Sequence, residues 1–148
     1  MLGRKAGRAL KTIRWVMALP AAMVCGYLAY FVGGFINNVS ITSYLGAPPE
    51  GWLKVTLDVM THIYLGAAFT YSAVRIAPSA PRYVALVASV LLLVFVGLSL
   101  WSSFVIGKFY ALPALGGVLF GGAAVVLATF AGEIVPYDAN GLKRRGHA

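Results

Sequence analysis

The chain has 148 residues, of which 60% are hydrophobic and 11% are charged, and its formal net charge is +8. Soluble domains carry roughly 25% charged residues, so this composition excludes an ordinary soluble globular domain. Eight of the twelve Lys and Arg residues lie in the termini, five within residues 1–14 and three within residues 143–145, with long apolar runs between them. This distribution indicates a membrane protein and offers no nucleic-acid-binding face.

Four apolar runs are long enough to cross a bilayer as helices, which takes about 20 residues at 1.5 Å per residue. The runs lack the alternating pattern of barrel strands, and turn-forming stretches such as "GAPPEG" and "APSAP" separate them. We therefore predict an all-α integral membrane protein with a bundle of four transmembrane helices. The predicted segments are a basic N-terminal segment (residues 1–12), four spans (residues 13–35, 55–76, 83–106 and 112–135) and a basic tail (residues 136–148).

The basic residues also predict the orientation of the chain in the membrane. If the N-terminus is cytoplasmic, ten Lys and Arg residues lie on the inner side, and the outer side holds Lys54 and Lys108. Cytoplasmic loops are enriched in Lys and Arg, so this asymmetry places both termini in the cytoplasm. We expect an integral protein of a bacterial inner membrane.

Small residues form stripes along two of the predicted spans. In the fourth span Gly117, Gly121, Ala124 and Ala128 recur at steps of three or four residues, and Gly26 lies on a similar stripe of the first span. Small residues at such spacing let two membrane helices approach closely. These stripes are expected to pack the chain's own helices, in preference to a contact between two copies.

The second span carries two ionisable residues within "LDVMTHIYL", Asp58 and His62, with Thr61 beside them. Residues four apart share a helix face, and ionisable groups inside a membrane face protein or water because lipid leaves them unsatisfied. The three residues form a candidate proton or ion site. A hydrogen bond with a purely structural role is the simpler interpretation.

Near the inner end of the fourth span, Glu133 lies where the helix dipole disfavours a carboxylate. A basic partner from the same side of the membrane is expected, and Arg75 is the candidate for an interfacial ion pair.

No complete catalytic or cofactor site is found in the sequence. A zinc site needs three or four ligands, and the only other histidine, His147, lies in the tail. We predict no cofactor and no catalysis by the chain alone. The favoured function is a small non-catalytic membrane subunit that assembles or stabilises a larger complex, with lipid and other membrane subunits or a second copy as partners. Two alternatives stay open: an oligomeric channel or transporter that uses Asp58 and His62, and a redox or lipid-modifying component that needs a partner chain.

Overall fold

The computed structural model describes residues 2–107 and 112–134, with the main chain alone over residues 2–9. Within these residues the fold is entirely helical, which confirms the predicted all-α class. The four helices, in chain order, are α1 (Leu2–Leu45), α2 (Gly51–Ile76), α3 (Pro81–Ile106) and α4 (Leu112–Phe130). The predicted basic tail, residues 136–148, lies outside the described residues.

Glycine and proline determine where the helices begin and end. Gly46, Gly107 and Gly132 adopt positive φ angles of 70°, 72° and 81° just after the ends of α1, α3 and α4. The absence of a side chain makes this left-handed conformation inexpensive at a helix C-terminus. α2 ends before Pro78, which disfavours helical geometry in the preceding residue, and α3 begins with Pro81 at its first position.

The first helix is longer than the predicted span of residues 13–35. The segment "INNVSITSYL" that follows is more polar, and hydropathy alone assigned it to a loop. It contains no helix breaker, so α1 continues to Leu45 and stops only at the Gly46 turn. α4 differs in the opposite direction, because it ends at Phe130 rather than near residue 135.

Three helical segments in the described part of the chain are long and apolar enough to cross a membrane: Leu10–Leu45, Pro81–Ile106 and Leu112–Phe130. α2 is not among them, because Lys54, Asp58, His62 and several hydroxyl side chains reduce its apolar character. The crossing of a membrane by α2 therefore stays a prediction, whereas the helical bundle itself is shown.

The helix that is not among these three segments, α2, lies at the centre of the bundle. Among the described residues, α2 packs against each of the other three helices, α3 and α4 also pack together, and α1 packs against α2 alone. Buried side chains of α2 such as Phe69, Ala73 and Val74 join Leu92 of α3 and Val118 of α4 in one hydrophobic core. The neighbouring helices thus bury Thr61 and Thr70 of α2, whereas Lys54 and Asp58 are exposed.

Candidate functional site

The candidate site lies in the half of α2 that precedes Gly66, where α2 contacts both α1 and α4. Thr61 is buried, His62 is half-buried, and Asp58 is exposed one helical turn earlier. The structure therefore places the three predicted residues on neighbouring positions of α2, with the carboxylate turned toward the surroundings.

The imidazole of His62 is bonded to the main chain of Asp58 rather than to its carboxylate. The Nδ1 atom lies 2.6 Å from the Asp58 carbonyl oxygen. A carbonyl can only accept, so Nδ1 donates this hydrogen bond. When the imidazole is neutral, Nε2 is therefore the ring nitrogen that has a lone pair.

Two other helices lie close to His62. Tyr30 of α1 makes an edge-to-face contact with the imidazole, with ring centroids 5.1 Å apart and planes inclined by 76°. On the α4 side, the His62 Cβ lies 3.4 Å from the position that a Cβ would occupy on Gly117. His62 therefore lies where α1, α2 and α4 come together, and its ring contacts α1.

A short chain of hydrogen bonds links α1 to the same part of α2. The Asn37 side-chain amide donates to the Thr61 hydroxyl at 3.2 Å, and that hydroxyl donates to the Leu57 carbonyl at 2.8 Å. Asn37 lies seven residues after Tyr30, so the two side chains share one face of α1. The sequence analysis does not identify Tyr30 or Asn37. The available signal is their seven-residue spacing on one helix face, with Gly33 and Gly34 between them.

Three of the predicted packing residues lie at contacts between helices. A Cβ on Gly121 would overlap the main chain of α2 at Ile63, one on Gly117 would lie 2.7 Å from the Val59 carbonyl oxygen, and one on Gly26 would lie 3.2 Å from the Phe69 Cβ. The other two differ: Ala124 is exposed and Ala128 is half-buried. In the stripe of small residues along α4, the residues that approach another helix closely are therefore the glycines.

Arginine side chains bind the C-terminal ends of two helices on the opposite side of the bundle. Arg14 donates its Nε proton to the Ile76 carbonyl at the end of α2, at 3.1 Å, and Arg82 donates to the Phe130 carbonyl at the end of α4, at 3.5 Å. Cations at helix C-termini interact favourably with the helix dipole. Arg75 stacks on Tyr71, with its guanidinium carbon 5.8 Å from the ring centroid.

Glu133 lies beyond the end of α4 and is exposed. Its N–H donates to the Ala128 carbonyl at 3.0 Å, as part of the turn around Gly132 that ends the helix. Its proposed ion pair with Arg75 stays a prediction.

The arrangement around His62 provides one nitrogen acceptor, one amide, one hydroxyl and one exposed carboxylate. Among the described residues, no group of three or more His, Cys, Asp and Glu side chains is arranged to hold a metal ion. Among known proteins, no protein-family model, curated protein or solved structure matches the chain.

Proposed function

We propose that the chain is an integral membrane protein in which all four helices cross a bacterial inner membrane, with both termini in the cytoplasm. The hydrogen bonds of Arg14 and Arg82 support this arrangement, since they bring the start of α1 to the end of α2 and the start of α3 to the end of α4. Consecutive helices therefore run antiparallel. The side that gathers Arg14, Arg75 and Arg82 is then the cytoplasmic one.

Cysteine labelling tests this topology on a Cys25→Ala background. A cysteine at Ser43, exposed near the end of α1, should react with a membrane-impermeant maleimide in intact cells or spheroplasts. A cysteine at Ser79, between α2 and α3, should react only after the membrane is opened. Reaction at residue 79 in sealed membranes would show that the chain has the opposite orientation.

We propose that the chain is a non-catalytic accessory subunit of a membrane complex. The observation that supports this proposal is the length of α1. Its apolar segment Leu10–Leu45 has 36 residues. A helix tilted by 40°, the upper end of the usual range, needs only about 26 residues to cross a hydrocarbon core of about 30 Å. Counted from residue 13, the start of the predicted span, residues 39–45 therefore project beyond the outer boundary of the hydrocarbon.

The projecting part of α1 carries apolar side chains that neither lipid tails nor the rest of the chain covers. Tyr44 is 88% exposed, Leu45 and Val39 are about half exposed, and Trp52 at the start of α2 is 81% exposed. Large apolar side chains that are exposed outside the membrane are typical of a contact with another protein. A second membrane subunit that projects to the same height is the partner that fits this surface.

The experiment compares two pairs of alanine substitutions by native electrophoresis of mildly solubilised source membranes. Tyr44→Ala/Leu45→Ala should release the chain from its complex, because losing an aromatic anchor of about 2 kcal/mol weakens binding about 30-fold. The matched pair Leu93→Ala/Leu98→Ala removes exposed side chains in the middle of α3 and should leave the complex intact. A complex that survives the first pair, or a wild-type chain that migrates alone, would contradict the proposal.

A second candidate, a proton or cation site at His62, is favoured by the fixed tautomer of that residue. The hydrogen bond to the Asp58 carbonyl leaves Nε2 as an acceptor for a proton. Proteoliposomes should then show a proton flux that His62→Leu abolishes while the amount of folded protein is unchanged. Wild-type flux equal to that of empty liposomes excludes this function for the isolated chain.

A further inference from the structure

An apolar groove runs between α1 and α3, the two outer helices that do not pack against each other. Its wider part has a volume of about 350 Å³ and is lined by residues of three helices, including Met23 of α1, Phe69 of α2 and Phe95 of α3. A narrower part of about 120 Å³ lies between Trp15 and Tyr83. Leu19 lines both parts, so they adjoin along α1, and residues of α2 line the floor of each.

The length of the groove matches one leaflet of a bilayer. On α1 its lining runs from Trp15 to Tyr27, and on α3 it runs from Tyr83 to Phe95. Each stretch spans twelve steps, or about 18 Å at 1.5 Å per residue. Half of a hydrocarbon core of about 30 Å is about 15 Å. The groove therefore reaches from the inner membrane surface to about the middle of the bilayer.

The inner end of the groove has the chemical character of a lipid headgroup region. Trp15 and Tyr83 flank it there, and such aromatic residues prefer the membrane–water interface. Lys11 lies four residues before Trp15, which in turn lies four before Leu19, so all three share one stripe of α1. Lys11 is exposed. The groove thus has a positive charge at its mouth and apolar walls along its depth.

We propose that the groove between α1 and α3 binds one anionic glycerophospholipid of the inner leaflet. One acyl chain lies along Met23, Phe69 and Phe95, and the phosphate lies at the membrane surface beside Lys11. Charge complementarity selects this occupant, because each Lys or Arg near an anionic surface contributes about 1 kcal/mol of attraction. The inference rests on the proposed membrane insertion and deepens it by naming a bound lipid.

Thermal unfolding of the delipidated protein in a zwitterionic detergent tests the site, with dioleoyl phosphatidylglycerol or dioleoyl phosphatidylcholine added. Phosphatidylglycerol should raise the unfolding temperature at lower concentration than phosphatidylcholine does. Lys11→Gln should weaken the apparent affinity for phosphatidylglycerol about fivefold, the equivalent of about 1 kcal/mol. It should leave the apparent affinity for phosphatidylcholine unchanged. Lys54→Gln, at the outer end of α2, is the matched charge control and should change the affinity for neither lipid.

A second pair of variants tests the apolar part of the groove. Leu91→Trp places a larger ring on the groove wall, whereas Leu93→Trp places it on an exposed face of the same helix. Only the first should reduce the stabilisation by phosphatidylglycerol. If it does not fold, the Lys11 comparison alone decides.

Three results would overturn the inference. The first is equal stabilisation by the two lipids, and the second is equal affinity of Lys11→Gln and Lys54→Gln for phosphatidylglycerol. The third is a dimer whose association Leu91→Trp disrupts, since a second copy would then occupy the groove. Each of them leaves membrane insertion intact. Failure of the proposed membrane protein itself would appear separately, in the labelling of residues 43 and 79.

Discussion

The contact between α2 and α4 leads to a prediction about a single methyl group. Gly121→Ala places a Cβ against the Ile63 carbonyl oxygen and 2.9 Å from the Ala67 main-chain nitrogen. Both are backbone atoms of α2, so no side chain can rotate away to make room. The two helices must separate, and such overpacking costs about 1–3 kcal/mol of the free energy of unfolding.

Replacing glycine by alanine inside a helix also has a favourable effect, which the experiment must remove. Alanine stabilises a helix by about 1 kcal/mol relative to glycine. Gly97 in the middle of α3 is the matched control, because a Cβ there meets nothing within 4 Å. The stability difference between Gly121→Ala and Gly97→Ala then isolates the overpacking cost, expected at about 1–3 kcal/mol.

Unfolding of the purified variants in mixed detergent micelles, followed by circular dichroism, measures this difference. The corresponding difference in unfolding temperature is on the order of 2–12 °C for a chain of this size. A further variant, Gly66→Ala, places a Cβ against the Val118 carbonyl in the same seam. Combined with Gly121→Ala it should cost less than the sum of the two, because the first substitution already separates the helices. Equal stability of the Gly121→Ala and Gly97→Ala proteins would refute the close contact.

Two further predictions concern the candidate site and use the same unfolding assay. Asn37→Val and Thr61→Val should each lower the free energy of unfolding by about 0.6 kcal/mol, the average for hydrogen bonds between membrane helices. A double-mutant cycle should recover a coupling energy of that size. Additive effects would show that the Asn37–Thr61 bond contributes nothing. Asp58→Ala should change stability by less than about 0.5 kcal/mol, because its carboxylate is exposed and His62 uses its main-chain oxygen. His62→Ala should cost more, since it removes the contact with Tyr30; a larger loss for Asp58→Ala would mean that the carboxylate is the partner of the imidazole.

The sequence predicts four helices and the C-terminal ends of α2 and α3, because apolar length and turn-forming residues are local signals. Gly46, Pro78 and Gly107 end α1, α2 and α3 for reasons that a reader of the sequence can state. Hydropathy fails at the end of α1, which continues through the more polar residues 36–45 to Leu45. A helix ends where its backbone geometry is interrupted, whereas a membrane span ends where its apolar character ceases, and these are two different signals.

The candidate site was predicted only on the helix that carries its ionisable residues. Asp58 and His62 are visible in the sequence because charged and titratable groups are rare in apolar runs. Their partners, Tyr30 and Asn37, are ordinary residues on another helix, and only the α1–α2 packing brings them to Thr61 and His62. The main-chain bond of His62 was likewise unpredictable, since spacing by four residues fits a carboxylate and a carbonyl partner equally well.

Glycines lie at two of the contacts that hold α2, and the atoms that they meet differ. At the α2–α4 contact, glycines on each helix bring main chain against main chain, at Gly66 and Gly121. At the α1–α2 contact, Gly33 instead meets the Tyr64 ring, and Gly26 meets the Phe69 Cβ and the Leu65 carbonyl oxygen. A side chain can change its rotamer, whereas a backbone contact cannot adjust without moving a helix. α1 borders the groove, and its end beyond residue 38 is the surface proposed for a partner. Binding of a lipid in the groove and docking of a subunit at Tyr44 would both act on α1, so each should alter hydrogen exchange in α1 more than in α4.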